Sequence, residues 1–325
     1  MSDAGAGPLF APPPPPVFDT GELRALRATL PDTIHLGTSS WTYPGWQGMV
    51  YHEEYGPRAP AARMLAEYAR FPLFTTVGID SSFYRPPSVA TLRSYARALP
   101  PGFRCVSKVW DHLTVHTHSG KRGGIAGEAN PGFLDPELLR REVYGPYTEH
   151  FRDHMGAFVF EFQTIAPSEG ITPLDFAERL DRFFEQLPRD ARYAVEVRNA
   201  EFLTEAYFAV LRVHGVAHVL NNWTRMPPIG AQLDLPGVTT ADFLVVRALL
   251  RPGRTYEEAV RMFEPYDRIR DPNPALRSDL TAVIRHAVAM RIPAYLLVNN
   301  RAEGSAPHPI VSVAREATRE LGSAD

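Results

Sequence analysis

The chain has 325 residues, of which 44% are hydrophobic and 22% are charged, with a formal net charge of -3. This composition is typical of a globular protein long enough for one large domain or two ordinary ones. The slight acidic balance disfavours a dedicated nucleic-acid-binding protein, which normally carries a basic excess. No run approaches the roughly 18 apolar residues of a membrane span, and the N-terminus lacks the pattern of a secretory signal.

The beginning of the chain is predicted to lie outside the folded domain. Residues 1–30 form a tail and lead-in rich in proline and alanine, and Ala4–Pro16 ends in five consecutive prolines. Such a run favours an extended, internally unbonded conformation, so we predict a disordered tail rather than a ligand for a proline-binding domain.

Cysteine usage bears on the compartment. The single cysteine, Cys105, cannot form an internal disulfide, which predicts a cytoplasmic location. Cys105 lies in a predicted strand, where a buried and unreactive thiol is favoured over a nucleophile.

From residue 31 onward, apolar strand-like runs alternate with helix-like segments. Strands are predicted at 34–38, 74–79, 103–109, 157–162, 193–197, 216–220, 243–247 and 294–298. Helices are predicted at 59–71, 89–98, 136–153, 173–186, 205–213, 275–290 and about 310–321. Ser88, which follows two prolines, is predicted to cap the second of these helices.

Eight strands with intervening helices predict a single (β/α)8 TIM-type barrel over residues 31–325. The strands are almost uniformly apolar, as expected where helices cover both faces of a parallel sheet. An open doubly wound sheet is the runner-up, and it is weakened because no Gly-x-Gly-x-x-Gly turn follows a strand.

The stretch Arg192–Arg198 is the most informative part of the sequence. Because side chains alternate along a strand, Glu196 and Arg198 share one face and the flanking valines share the other. Charges at the C-terminal end of an apolar strand are where barrel proteins place their chemistry. This pattern predicts a polar site at the end of the fifth strand.

Other strand ends also carry polar side chains. Three carboxylates are candidates for acid and base chemistry, and five further groups are candidates to bind a phosphate or another polar substrate. The catalytic candidates are Asp80, Glu161 and Glu196, and the binding candidates are Lys108, Arg198, Arg247, Asn299 and Asn300. A structural ion-pair network filling the barrel mouth is the alternative to a site. We favour the site, because barrels rarely bury so many charges for structure alone.

Aromatic residues are a second candidate feature of the same rim. The loop after the first strand contains Trp41, Tyr43 and Trp46, and Tyr84 follows the second strand. Exposed rings at these positions would form a platform that stacks on a sugar or a base. A loop that folds over the barrel mouth and hides its own rings remains an equally open alternative.

A metal site is less strongly indicated. His112, His116 and His118 lie in the loop after the third strand at a spacing that can bind a transition metal. The adjoining segment 119–124 is basic, so a solvated loop is favoured. The three carboxylates could instead form an oxygen-ligand site for magnesium or manganese. No cofactor is predicted, and a divalent metal is left open.

In their order along the chain, several segments resemble the YecE-like family, also called domain of unknown function 72. The resembling segments are Gly37–Trp46, Ser81–Ser88, Phe103–Lys108, Leu113–His116, Ala194–Arg198 and Asn299–Asn300. The resemblance implies a (β/α)8 barrel, which agrees with the strand count, and it implies no established reaction.

Departures from the family's pattern concern the charged positions. The family usually has Glu and Asn where this chain has Gly78 and Asp80, and Gln where Glu161 stands. Its Arg-Leu-His-Gly pattern after the seventh strand is here Arg247–Leu250, and Arg301 replaces an acidic residue after the asparagine pair. These differences imply a divergent member or one of altered specificity.

The sequence therefore favours a barrel enzyme, such as a hydrolase, lyase or isomerase, that acts on a small, polar and anionic substrate such as a sugar or phosphate ester. Glu196 is the predicted acid or base, with Asp80 or Glu161 as the second carboxylate. A barrel that binds a metabolite or a single-stranded nucleic acid without turnover is the alternative from another class. A metal-assisted nuclease is a third hypothesis, and the near-neutral charge disfavours it.

Overall fold

The computed structural model describes residues 17–56, 58–118, 120 and 125–323. Its strands are β1 (Ile34–Thr38), β2 (Phe74–Ile79), β3 (Arg104–Lys108), β4 (Met155–Glu161), β5 (Tyr193–Glu196), β6 (Ala217–Asn221), β7 (Leu244–Ala248) and β8 (Ala294–Val298). Each strand pairs in parallel with its neighbours along the chain, and β8 pairs with β1 to close the barrel. The predicted (β/α)8 barrel is confirmed.

Helices connect the strands and pack outside the barrel. They are α1 (Thr20–Thr29), α2 (Ala61–Tyr68), α3 (Val89–Ala98), α4 (Pro136–Leu139), α5 (Gly145–His150), α6 (Pro173–Glu185), α7 (Glu205–His214), α8 (Ile229–Leu233), α9 (Tyr256–Phe263), α10 (Pro274–Met290) and α11 (Pro307–Gly322). The eight predicted strands agree with the observed ones to within two residues at each end. Ser88 caps α3 as predicted, because its hydroxyl oxygen accepts a hydrogen bond from the Thr91 backbone N–H at 3.1 Å.

The helix predicted at 136–153 is wrong as a single element. The structure divides it into α4, a π-helical turn (Arg140–Tyr144), α5 and a short 3-10 helix (Arg152–His154). Pro146, near the start of α5, has no N–H to donate to a carbonyl four residues earlier. The wider turn before α5 is consistent with that missing hydrogen bond.

Two layers of apolar side chains make up the core. The layer inside the barrel includes Val159, Ala194, Val219 and Val245, and it is distinct from the larger layer between strands and helices. Val195 and Val197 belong to the outer layer. The predicted alternation along β5 is thereby confirmed, and it turns Glu196 toward the barrel interior.

The lead-in before residue 31 contains a helix that the sequence reading did not predict. Asp19 caps α1 by accepting from the Gly21 N–H at 2.7 Å, and Leu23 of this helix is buried. Glu22 forms an ion pair at 2.6 Å with Arg315 of α11. Folded structure therefore begins before residue 31. The predicted disordered tail, residues 1–16, lies outside the described residues.

The prediction for Cys105 is confirmed, because its side chain is buried in β3 and burial raises the pKa of its thiol well above the ordinary range. A thiol that does not ionise is a poor nucleophile. None of the described helices is both long and apolar enough to cross a membrane.

Candidate functional site

Six charged side chains meet inside the C-terminal end of the barrel, and we call them the rim network. They come from the ends of five strands and are Asp80, Lys108, Glu161, Glu196, Arg198 and Arg247. The strand register places two of them at the same height in the barrel, because Glu161 of β4 pairs with Glu196 of β5. The structure thus brings together six residues singled out from the sequence, while their roles in catalysis or binding remain predictions.

The guanidinium group of Arg247 lies at the centre of the rim network. Its Nη1 donates to Oε2 of Glu196 at 2.5 Å and to Oε2 of Glu161 at 2.8 Å. Its Nη2 donates to Oδ2 of Asp80 at 2.6 Å. Hydrogen bonds between ionised partners are stronger than those between neutral groups. The Arg247 guanidinium group therefore holds three carboxylates, which come from the ends of β2, β4 and β5.

Two further cations complete the rim network. The Nζ atom of Lys108 lies 2.7 Å from Oε2 of Glu161 and 3.4 Å from Oδ2 of Asp80. The Nη2 atom of Arg198 lies 2.8 Å from Oε2 of Glu161 and 3.3 Å from Oε1 of Glu196. Three cations therefore balance three carboxylates, and the network carries no net charge when all six are ionised.

Exposure of the network falls from the rim inward. The Asp80 side chain is 25% exposed and that of Lys108 is 12%, whereas Glu161 is 2% exposed and Glu196 is 0%. Burial acts to raise the pKa of Glu161, but the surrounding cations, Arg198 first, outweigh it and hold that pKa well below its usual range. Glu161 therefore stays ionised at neutral pH.

The pKa of Arg247 responds to the same competition. Burial alone would lower it, but the three carboxylates, with Asp80 first, more than compensate and raise it. The Arg247 guanidinium consequently remains charged. Removing one member of such a buried network costs far more than removing an exposed ion pair, because its partners are left unpaired in a poorly solvated place.

Glu196, the predicted acid or base, is the most deeply buried carboxylate of the rim network. Its side chain has no exposed surface, and its two oxygens face the guanidinium groups of Arg198 and Arg247. The role of Glu196 as an acid or base stays a prediction. Asp80 is the carboxylate of the network that reaches solvent most readily.

Aromatic rings near the rim network come from positions that the sequence reading did not select. The Arg198 guanidinium carbon lies 3.7 Å from the ring centroid of Trp223, and Nζ of Lys108 lies 4.9 Å from that of Phe83. Both contacts are cation–π interactions, which strengthen when the cation is poorly solvated. Their positions in the sequence could have identified both rings, because Phe83 follows the end of β2 and Trp223 follows the end of β6.

The three rings after β1 do not form an exposed platform. Trp46 is 0% exposed and Trp41 is 3% exposed, and the Trp41 indole N–H donates to the Ala61 carbonyl at 2.8 Å. The stacking role predicted for these two tryptophans is corrected, since burial leaves neither ring face open to a ligand. Tyr43 is partly exposed, with its ring 5.0 Å from Trp46 and 5.4 Å from Tyr266.

The two asparagines after β8 shape their own loop. The side-chain oxygen of Asn299 accepts from the Arg301 backbone N–H at 2.9 Å, and that of Asn300 accepts from Ala306 N–H at 2.8 Å. Arg301 stacks over the ring of Tyr256 at 4.1 Å. Loop support explains why both asparagines are buried, and their contact with a substrate stays a prediction.

A groove of about 810 Å³ opens at the C-terminal end, and we call it the rim groove. Loops after β2, β3 and β4 form it, and they contribute the aromatic rings of Tyr84, Trp110 and His112. Gln163 lines the groove and its amide donates to Oε1 of Glu161, so this side chain joins the groove to the rim network. Tyr84, a predicted binding residue, is 62% exposed at the groove.

The groove also holds an imidazole–carboxylate pair that sequence reasoning missed. Nδ1 of His116 lies 3.4 Å from Oε2 of Glu169, and both side chains are 20% exposed. A carboxylate that orients an imidazole is a common arrangement for moving protons. His116 lies in the loop after β3 and Glu169 lies in the loop after β4. Because these loops converge at one face of the barrel, the sequence could have indicated that the two residues lie close together.

The described residues do not contain a group of three or more His, Cys, Asp or Glu side chains placed to hold a metal ion. His112 and His118 stack with ring centroids 6.1 Å apart instead of converging on a point. The three carboxylates considered as an oxygen-ligand set each face a guanidinium or ammonium group.

A closed parallel barrel with a charged network and a groove at its C-terminal end defines a TIM-barrel protein with its candidate site in the usual place. The chain belongs to the family described as protein of unknown function DUF72, whose model matches residues 35–324. The resemblance to the YecE-like family is therefore confirmed, since both names denote the same family.

Solved structures show the same architecture. A DUF72 family protein from Thermotoga maritima is 19% identical, with a TM-score of 0.58 over 89% of this chain and 99% of that one. A DUF72 family protein from Enterococcus faecalis is 14% identical, with a TM-score of 0.58 over 88% of this chain and 95% of that one. At these identities the likeness concerns the fold alone. No functionally curated protein matches the chain.

Proposed function

We propose that this protein is an enzyme that binds a small, polar, anionic substrate, such as a sugar or a phosphate ester, at the C-terminal rim. In this proposal Asp80 and Lys108 contact the substrate and move protons. Glu161, Glu196 and Arg247 hold that pair in place. Proton transfer of this kind is common to hydrolases, lyases and isomerases.

The observation that carries the proposal is the free oxygen of Asp80. Lys108 and Arg247 both contact its Oδ2, and in the described part of the chain no hydrogen bond or ion pair engages its Oδ1. A carboxylate fixed through one oxygen, with the other available at a partly exposed rim, is suited to accept a proton. Buried ion pairs rarely add net stability, which favours a functional reason for the network.

The contacts of Lys108 suggest how an anion is accommodated. Its ammonium group lies closer to Glu161, at 2.7 Å, than to Asp80, at 3.4 Å. An anionic group of the substrate can replace the longer contact while Arg247 continues to hold Asp80 through Oδ2.

The test begins with thermal unfolding of the protein in the presence of sugars, sugar phosphates, other phosphate esters, carboxylates and nucleotides, followed by turnover assays on each stabilising compound. A ligand that binds only the folded state raises the unfolding midpoint by mass action. We expect Asp80→Asn to keep ligand binding and to lower turnover by a factor of about 10² or more, the range for a lost acid or base.

Asp153→Asn is the matched control, since Asp153 is exposed at the other end of the barrel. Turnover that survives Asp80→Asn undiminished would remove Asp80 from the chemistry. Stabilisation by an anion that Lys108→Gln leaves unchanged would remove Lys108 from binding.

A second candidate function is binding of a metabolite or a single-stranded nucleic acid without turnover. The 62% exposed ring of Tyr84 favours it, because Tyr84 lines the rim groove together with Trp110 and bases stack on such rings. This function predicts binding that weakens steeply with salt, a loss of affinity in Tyr84→Ala, and no product from any bound compound.

A further inference from the structure

A separate cavity, of about 290 Å³, opens at the N-terminal end of the barrel, opposite the rim network. The starts of β3 and β4 and the segment before β5 line it. Three arginines are among the lining residues, Arg104, Arg152 and Arg192, whereas Asp190 is the one acidic residue there in the described part of the chain. The lining therefore carries an excess of positive charge.

Only part of that charge is neutralised by the protein. Nη1 of Arg152 lies 3.3 Å from Oδ2 of Asp190. Arg104 and Arg192 form no ion pair with a described carboxylate. Their contacts are neutral, since Nη1 of Arg104 donates to the Met155 carbonyl at 3.3 Å and Nη1 of Arg192 donates to the Tyr295 hydroxyl at 3.2 Å.

The surroundings keep these two guanidinium groups in place. Arg192 lies over the ring of Phe243, at 5.3 Å from its centroid, and Arg104 and Arg192 are both partly buried. His35 is close to both, and its pKa is lowered to about 4, first by burial and then by Arg27, Arg192 and Arg104. The histidine is therefore neutral near pH 7, and the local positive potential is strong enough to oppose its protonation.

We infer that the N-terminal cavity binds the phosphoryl group of a small phosphate compound through Arg104 and Arg192, which both line it. A guanidinium group presents a planar fork of N–H donors that matches phosphate oxygens. Among the described residues, each of these two guanidinium groups donates a hydrogen bond to one partner, so further N–H donors remain for an anion. The cavity lies at the small end of ligand sites, so it admits inorganic phosphate or a small phosphate ester.

This site is independent of the function proposed for the rim, and inorganic phosphate is the probe that tests it. Calorimetric titration of the full chain, at constant ionic strength with chloride as the reference anion, gives the dissociation constant. We expect saturable binding that weakens at least tenfold in Arg104→Gln and in Arg192→Gln. Arg93→Gln, at an exposed position on α3, is the matched control and keeps the affinity of the unchanged protein.

Three results would overturn the inference. They are the absence of saturable binding, equal weakening in Arg93→Gln, and weakening in Lys108→Gln while the two N-terminal variants bind normally. Modification by phenylglyoxal, followed by mass spectrometry of the unmutated protein, supplies a readout that does not depend on variants folding. Phosphate should protect Arg104 and Arg192 and leave Arg93 reactive, and unprotected Arg104 and Arg192 would contradict the site.

Discussion

Nη1 of Arg247 on β7 lies 2.5 Å from Oε2 of Glu196 on β5, although 51 residues separate the two in the chain. The same nitrogen reaches Glu161 on β4 at 2.8 Å. These contacts exist because the sheet closes on itself, so that inward-facing side chains of non-adjacent strands meet across the mouth. The rim network is therefore a product of barrel closure as well as a candidate site.

Arg247→Met should destabilise the protein strongly, because it leaves Asp80, Glu161 and Glu196 without their shared cation. Loss of one partner in a buried ion-pair network costs about 3–5 kcal/mol, which urea unfolding would measure. Arg315→Met is the matched control, since its pair with Glu22 is exposed to solvent and adds little stability. Equal losses in the two variants would contradict the expectation that removing Arg247 leaves buried carboxylates unpaired.

Stability should fall in acid partly through Glu161. Because its pKa in the folded protein lies below its usual value, its contribution is present above about pH 4.3, the ordinary pKa of glutamate, and is lost as pH decreases below it. Urea unfolding between pH 6 and 3 should show a shallower pH dependence in Glu161→Gln. Glu257→Gln, at an exposed position, is the control. An unchanged slope in Glu161→Gln would contradict the expectation.

His218 should add a second pH dependence at a higher range. Burial lowers its pKa to about 4, despite an opposing hydrogen bond with Gln232. The unfolded chain then takes up a proton first, so stability is full above about pH 6.5 and declines toward pH 4 by about 1.4 kcal/mol per pH unit. His218→Gln should flatten the free energy of unfolding over this window, whereas His52→Gln, at an exposed position, serves as the control.

Replacement by alanine should reduce the stability of the protein far more at Trp46 than at Tyr84. Trp46→Ala should cost about 3–5 kcal/mol, because it removes a fully buried ring from the core. Tyr84→Ala should change stability by less than about 1 kcal/mol, since that ring is mostly exposed, and should weaken ligand binding at the rim groove. Urea unfolding of both variants measures the two free energies of unfolding. A large loss of stability in Tyr84→Ala would contradict the solvent exposure of Tyr84.

The local sequence pattern was sufficient to predict the strands and to predict which side chains of β5 face the barrel interior. The apolar runs that became β1, β2 and β8 match their predicted bounds, because a strand buried on both sides is apolar throughout. The alternation that turns Glu196 and Arg198 inward follows from strand geometry alone. The start of α9 was readable too, since Thr255 and Glu258 form a capping box that the sequence reading overlooked.

The sequence by itself determined the period of strands and helices, and with it the barrel and the list of charged residues at the strand ends. The tertiary structure decided how those residues are used. It buried Trp41 and Trp46 and enclosed Glu196 between two guanidinium groups. Among the described residues, it also left Oδ1 of Asp80 without a hydrogen bond or an ion pair, while Lys108 and Arg247 both contact Oδ2. The physical reason is that exposure and pairing depend on which side chains meet across a closed sheet, and residues far apart in the chain decide this jointly.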